Sequence, residues 1–115
     1  MWLITTTGFF SVVEKRWDRE GGTLTVRARA RGDLDGLRAS VLPELGTTAE
    51  DPAADYRFRA QAPREAVARA VHRLVQAIDY DNFKSAVHHV QGAGRARIYA
   101  SVWNVLHRIQ SEGQA

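Results

Sequence analysis

The first half of the chain alternates apolar and polar residues in the period-two pattern of β-strands. The alternation is most regular over residues 23–31, where Leu, Val or Ala occupies every second position. A shorter stretch at 56–60 repeats it, and aromatic and β-branched residues make 2–6 and 9–13 two further candidates. The pattern therefore predicts a sheet of three to four strands.

The spacing of apolar residues changes to the helical period after each of the two alternating stretches. A short helix is expected after Gly32, with Asp33 as its N-cap and Pro43 as its end. A longer helix is expected from Pro63, whose fixed φ suits a first helical position, with an end or a bend near residues 79–82. Each helix would offer an apolar stripe to the sheet.

Two more helical segments are expected in the last third of the chain. In the first, Phe83, Val87 and Val90 share a face before a Gly-Ala-Gly segment ends the pattern. The second covers about residues 95–110, and we expect its apolar stripe on the buried side of the helix. That stripe consists of Ile98, Val102, Val105, Leu106 and Ile109.

Early strands followed by a helix, another strand and further helices indicate an α+β fold. We expect an antiparallel sheet of three to four strands with helices packed on one face, loosely ferredoxin-like in shape. The chain has 115 residues, which suits one hydrophobic core. Its sequence contains no repeat, low-complexity tract or interdomain linker, so a single domain over residues 1–115 is expected.

Charge is distributed unevenly along the chain, whose formal net charge is +3 and whose isoelectric point is about 9.8. Arg supplies all but two of the 16 basic residues, and its planar guanidinium suits bidentate contact with carboxylates and phosphates. Acidic residues are frequent in 44–55, where a solvated loop is expected. In the sequence, an acidic loop therefore lies between two basic strands.

Five arginines occupy alternate positions on these two strands. If the strands share a sheet whose other face packs on helices, period-two geometry places all five guanidinium groups on one open face. Charges so close repel one another unless acids or an external anion lie among them. The counter-charge could come from the acidic loop at 44–55, or from a nucleic acid or an acidic protein bound from outside. The five residues are Arg27, Arg29, Arg31, Arg57 and Arg59.

A secondary anion site is expected around Gly94, Arg95 and Arg97, where a glycine stretch precedes the last helix. The stretch lacks the third glycine and the preceding strand of a dinucleotide fingerprint, and also the lysine and hydroxyl of a P-loop. A linker that ends a helix is the alternative interpretation.

Large aromatic side chains near strand ends and at the edge of the last helix are candidates for an interface between two copies of the chain. Trp2, Tyr99 and Trp103 have this placement. Because a small chain can complete its core by dimerising, a homodimer is an alternative to a monomer.

The sequence offers few candidates for catalysis, metal binding or membrane insertion. It has no cysteine, its adjacent His88 and His89 diverge on a helix, and no serine lies in a nucleophile context. Asp79 and Asp81 could hold Mg²⁺, but they serve equally well as helix caps. No apolar run approaches the roughly 20 residues of a membrane span. We therefore expect no catalytic residue, metal, cofactor or membrane contact, and a cytoplasmic location.

Three segments resemble those of short, uncharacterised bacterial proteins of similar length: Met1-Trp2 with Gly8–Val13, Leu24–Arg29 and Ile78–Lys84. The resemblance covers most of the chain and implies a small, standalone cytoplasmic protein. It carries over no activity, ligand or site residue. From the residues we expect a non-enzymatic binding or regulatory module whose arginine face holds an anionic partner. A homo-oligomeric domain that senses a small ligand is the alternative.

Overall fold

The computed structural model describes residues 1–112, and its contacts group the chain into two compact units. The first unit, residues 1–79, contains a sheet and two helices, and the second, from Tyr80 onward, contains two further helices. The predicted α+β class is confirmed. The single domain over residues 1–115 stays a prediction.

The sheet has five strands, all paired antiparallel. They are β1 Trp2–Thr5, β2 Gly8–Val13, β3 Thr23–Ala28, β4 Ala49–Glu50 and β5 Phe58–Pro63. Their order across the sheet is β1-β2-β3-β5-β4. The fifth strand is the two-residue β4, which lies at the sheet edge inside the segment expected to be a loop. Two residues are too few to show a period.

Four α-helices and one 3-10 turn complete the described chain. They are α1 Arg31–Ala39, α2 Arg64–Gln76, α3 Phe83–Gln91, α4 Ala93–Glu112 and the turn Arg16–Asp18. Three strands precede the first helix, so the element order differs from the βαββαβ order of ferredoxin-like domains. That comparison was wrong, although the fold class is right.

Two helix starts differ from the prediction by a few residues. Asp33 lies in the first turn of α1, where its carboxylate accepts a hydrogen bond from the Phe9 amide at 3.0 Å, and the N-cap position is Ala30. Pro63 is the last residue of β5, directly before α2 begins. Both residues act at the boundary where they were expected, but in a different position.

Helices α1 and α2 pack on the same face of the sheet and enclose the core of the first unit. The alternating apolar residues of β2, β3 and β5 point toward these helices, as period-two geometry requires. The main members are Phe10, Val12, Val26, Ala28, Leu34, Leu37, Ala60, Ala62, Ala66, Val67 and Ala70. Burial of these side chains fixes the sheet register, because a slip of one residue would turn each strand over.

The opposite face of the sheet, which we call the second face, is tied together by Asp18. This carboxylate is fully buried. It accepts hydrogen bonds from Thr23 Oγ1 at 2.6 Å, from Thr25 Oγ1 and Gln61 Nε2 at 2.8 Å, and from the Lys15 amide at 2.8 Å. One side chain thereby links the 3-10 turn to two neighbouring strands.

Burial on its own would raise the pKa of Asp18, but the hydrogen bonds that it accepts outweigh burial and lower the pKa from 3.8 to about 2. Because the pKa is lower in the folded than in the unfolded chain, ionised Asp18 stabilises the fold above pH 3.8. That contribution is lost as the pH falls from there toward 2.

The second unit is a hairpin of α3 and α4. Asn82 caps α3 by accepting a hydrogen bond from the Ser85 amide at 2.8 Å. The two helices meet at Gly92, whose φ of 91° lies in the region that glycine adopts most easily. The Phe83 ring stacks on Tyr99 with a centroid separation of 6.1 Å, so the first residue of α3 lies level with the second turn of α4.

The apolar stripe of α4 is not buried, contrary to the prediction. Ile98, Val105, Leu106 and Ile109 are exposed, and Val102 is half-buried. The buried residues of α4 are Ala96 and Tyr99. Since the nine residues of α3 already reach Tyr99, the later turns of α4 have no α3 neighbour. Within residues 1–112, no helix is long and apolar enough to cross a membrane.

Gly8→Ala should destabilise the protein. A Cβ at residue 8 would lie 2.7 Å from the Phe10 ring and 3.0 Å from Asp33 Cγ, and overpacking of this kind costs about 1–3 kcal/mol. Gly36→Ala is the control, because it fills open space within α1 and should stabilise by up to about 1 kcal/mol. Urea unfolding measures both, and a neutral Gly8→Ala variant would contradict this packing.

Asp18→Asn should lower stability at neutral pH and flatten its acid dependence. An amide cannot accept all four hydrogen bonds, so we expect a loss of about 2–3 kcal/mol at pH 7. The ionised carboxylate supplies about 2 kcal/mol that wild type loses between about pH 4 and 2 and that the variant lacks. Urea unfolding across this range tests both statements, with exposed Asp35→Asn as the control. Equal pH profiles for wild type and Asp18→Asn would refute the role given to Asp18.

Candidate anion-binding surface

The structure separates the five strand arginines into two groups. Arg27 and Arg59 are Cα partners on β3 and β5, and they alternate with core residues, so both lie on the second face. Arg29 follows β3 and approaches the same aromatic ring as Arg27. The expectation that all five share one face is wrong for Arg31 and Arg57.

Arg31 and Arg57 are both held by Glu50. Their guanidinium nitrogens lie 2.9 and 2.6 Å from the two carboxylate oxygens, and both groups lie beside the Phe58 ring. Hydrogen bonds from Arg57 and then Arg31 lower the pKa of Glu50. Arg31 already belongs to α1, and Arg57 precedes β5. The strand alternation used to place these two residues therefore does not reach them.

The other three arginines surround Tyr56, and we call Arg27, Arg29 and Arg59 the arginine cluster. The guanidinium carbons of Arg27 and Arg29 each lie 4.5 Å from the centroid of the Tyr56 ring, which is within cation–π range. Tyr56 is only 4% exposed. Regular alternation over residues 56–60 would place the Tyr56 ring on the core side with Phe58. The ring instead contacts these arginines, because regular alternation begins only at Phe58.

Every hydrogen bond that the cluster donates goes to an uncharged acceptor. Arg27 Nη2 donates to Ser11 Oγ at 2.7 Å, Arg29 Nε to the Asp55 carbonyl at 3.1 Å, and Arg59 Nη2 to the Tyr56 carbonyl at 3.3 Å. Within residues 1–112, none of the three forms a salt bridge to a carboxylate. The cluster therefore keeps its full positive charge.

Two buried donors in the cluster also lack partners. The Nε atoms of Arg27 and Arg59 are buried and have no hydrogen-bond acceptor among the described residues. Because their Cα atoms are directly paired across two strands, the side chains start only about 5 Å apart. Two unit charges about 7 Å apart repel by on the order of 2 kcal/mol at an effective dielectric constant of about 20. Within residues 1–112, no carboxylate offsets this repulsion.

Aromatic rings continue the second face away from the cluster. Phe9 lies 6.2 Å from Tyr56 and 5.5 Å from Trp2, centroid to centroid, with Trp2 and Phe9 packed edge to face. One row across the sheet consists of successive Cα partners on four neighbouring strands, namely Trp2, Ser11, Arg27 and Arg59. Trp2, proposed from sequence as an interface residue, is 62% exposed. Rings and guanidinium groups therefore occupy one continuous surface.

Trp17 also lies on this surface, although the sequence pattern does not predict it. Its indole Nε1 donates to Thr25 Oγ1 at 3.2 Å. Thr25 lies two residues before Arg27 in β3, so both side chains are on the second face. The ring is largely exposed. Only the turn formed around Asp18 brings it there, and no periodicity in residues 14–22 indicates that turn.

The three residues of the secondary anion candidate point in different directions. Gly94 lies in the first turn of α4. Arg97 lines an open concavity of about 550 Å³ between α3 and α4, together with Lys84 and His88. Arg95 instead donates to the Tyr99 hydroxyl at 3.3 Å. The structure does not bring Arg95 and Arg97 together in one site.

The two aromatic interface candidates of α4 differ in exposure. Tyr99 is buried against Phe83, so it has little ring surface to offer a partner. Trp103 is exposed and stacks on His107 with a centroid separation of 5.4 Å. Among the described residues, no group of three or more His, Asp or Glu side chains is arranged to hold a metal ion.

Comparisons with known proteins assign no role to this surface. No family model, no curated protein and no solved structure matches the chain.

Proposed function

We propose that the second face of the sheet binds single-stranded nucleic acid. In this proposal the arginine cluster holds phosphates, and Trp2 and Phe9 stack against bases. One observation carries it: three arginines without a carboxylate partner lie on the same surface as an exposed indole. The chain then acts as a binding module, because Arg, Phe and Trp side chains bind phosphates and bases but do not serve as nucleophiles.

Phosphate satisfies what the cluster lacks. Each guanidinium has five N–H donors, and each member of the cluster uses one of them within the chain. A phosphate beside Arg27 and Arg59 would accept charge-assisted hydrogen bonds from both groups and offset their mutual repulsion.

The exposed Trp2 indole and the half-buried Phe9 ring favour a single strand over a duplex. Bases in a duplex are stacked on one another, whereas unpaired bases stack on aromatic side chains with little sequence preference. From Trp2 to Arg59 the row crosses three strand spacings, about 14 Å. Sheet faces that bind RNA in this way hold two or three bases. An acidic protein would use the charges but not the rings, so it explains less of the surface.

Arg27→Gln and Arg59→Gln should each weaken binding of a labelled single-stranded oligonucleotide by about 10-fold, since a charge-assisted hydrogen bond contributes about 1.5 kcal/mol or more. Each should also reduce the salt slope of log affinity by about 0.7, the value for one phosphate contact on a single strand. Arg57→Gln is the matched control, because Arg57 is already paired with Glu50. Fluorescence anisotropy at about 50 and 200 mM salt measures these effects.

Trp2→Ala should weaken the same interaction by about 5-fold to 100-fold, the range expected when one stacked base is lost. Trp103→Ala is its control, because that indole is equally exposed but lies in the second unit.

Three results would count against nucleic acid as the partner. They are no binding at low salt, equal losses from Arg27→Gln and Arg57→Gln, or tighter binding of a polyglutamate peptide than of the oligonucleotide. The last result would favour an acidic protein. Stabilisation by mononucleotides or small acids alone, in a thermal-shift screen, would favour a ligand-sensing domain.

A further inference from the structure

Helix α4 carries an exposed apolar stripe that neither the arginine cluster nor the rings of the second face involve. Four of its members are between 49% and 60% exposed, and the fifth, Val102, is half-buried. Neighbouring apolar side chains exposed together on one side of a helix mark an interaction surface more often than scattered ones do. The stripe is Ile98, Val102, Val105, Leu106 and Ile109.

The spacing of the stripe is that of a coiled-coil seam. Ile98, Val102, Val105 and Ile109 are separated by four, three and four residues, the alternation of a and d positions in a heptad. Leu106 lies beside the seam at a flanking position.

We propose that α4 pairs with α4 of a second copy of the chain in antiparallel orientation. Two antiparallel copies of the stripe match each other when the two-fold axis crosses the helix pair at the level between residues 103 and 104. Ile98 then faces Ile109 of the second copy, and Val102 faces Val105. This proposal is independent of nucleic-acid binding, because it uses no residue of the second face.

Charge at the two ends of the seam selects the antiparallel orientation. The next layer outward on each side would place Arg95 opposite Glu112 of the second copy, so the layer brings unlike charges together. Glu112 also accepts a hydrogen bond from Arg108 of its own helix at 3.4 Å. A parallel pair would instead set Arg95 against Arg95 and Glu112 against Glu112, and like charges at facing positions are destabilising. Both residues belong to α4 and lie one heptad step beyond the apolar layers.

The length of α4 also favours a partner of this kind. Its 20 residues span about 30 Å, whereas α3 reaches only to Tyr99. The remaining turns expose their apolar side chains, and helical segments of this length are marginal in water without packing. A second copy of α4 would pack against these same turns.

The area available fits a weak but specific dimer. A fully exposed Val, Leu or Ile side chain offers roughly 100 Å² of apolar surface, so five half-exposed ones contribute about 500–600 Å² over two copies. The smallest specific and stable protein–protein interfaces bury about 1,200 Å² in total, and about 65% of a homodimer interface is apolar. The stripe supplies most of that apolar share, and the alkyl stems of flanking arginines add to it. We therefore expect a dissociation constant in the micromolar range.

Sedimentation equilibrium of the full chain tests the dimer. Wild type should shift from monomer to dimer between about 1 and 100 µM, and Val105→Glu should weaken association at least 30-fold because it buries an unpaired charge. Asn104→Glu is the matched control, since it adds the same charge about 140° around the helix from the seam. Circular dichroism verifies that both variants keep their helices. A wild-type monomer at all concentrations, or equal effects of the two variants, would overturn the proposal.

Cysteine pairing tests the orientation, because the chain has no cysteine of its own. A mixture of the single variants Ile98→Cys and Ile109→Cys should form a mixed disulfide on oxidation. Ile98→Cys alone should not cross-link, because antiparallel helices separate its two copies by about 16 Å along the axis, beyond the 7 Å Cα separation that a disulfide spans. Efficient cross-linking of Ile98→Cys alone would show that the helices do not pair as proposed.

Discussion

The pairing of Arg27 with Arg59 is the constraint on which the candidate site depends. Val26 and Ala28 pair with Ala60 and Phe58 on the core side of β3 and β5. This register sets Arg27, the residue between them, directly opposite Arg59. A slip of one residue would relieve the repulsion only by turning the guanidinium group of the displaced strand into the core. Packing on the core side of the sheet therefore keeps these two like charges side by side. The repulsion between them on the second face is a consequence of that packing.

The arginines of the sheet differ in their counter-charges, because some are paired with a carboxylate and others are not. Glu50, on the edge strand, forms ion pairs with both Arg31 and Arg57 and offsets one of their two positive charges. The ring of Tyr56, in contrast, accepts Arg27 and Arg29 only through its π-face, which is a weaker compensation than a carboxylate. Asp18, the buried acid of the second face, is fully occupied by the Thr and Gln side chains and the Lys15 amide that bind it. The cluster therefore has no carboxylate counter-charge within residues 1–112.

Local sequence patterns predicted the strands and helices well, but they did not predict which residues contact these elements. Alternation identified β3 and β5 and placed Arg27 and Arg59 on one face, because a strand's period is a property of its own residues. The same alternation misplaced Tyr56 and Arg57, since it assumed that β5 began before Phe58. The apolar stripe of α4 was correctly assigned to one side of a helix, but periodicity does not reveal whether anything covers that side. The role of Asp18 was equally invisible, because its partners Thr23, Thr25 and Gln61 meet only through sheet pairing.

In the proposed function, binding takes place on one surface that is defined by a few backbone positions, so residue-resolved detection is the most direct test. In a ¹H–¹⁵N NMR titration with a short single-stranded oligonucleotide, the amides of residues 25–29 and 58–61 and the indole of Trp2 should shift together, while the indole of Trp103 stays in place. Unchanged spectra at low salt, or shifts confined to the neighbourhood of Glu50 or to α3 and α4, would contradict the assignment of the second face as the binding surface.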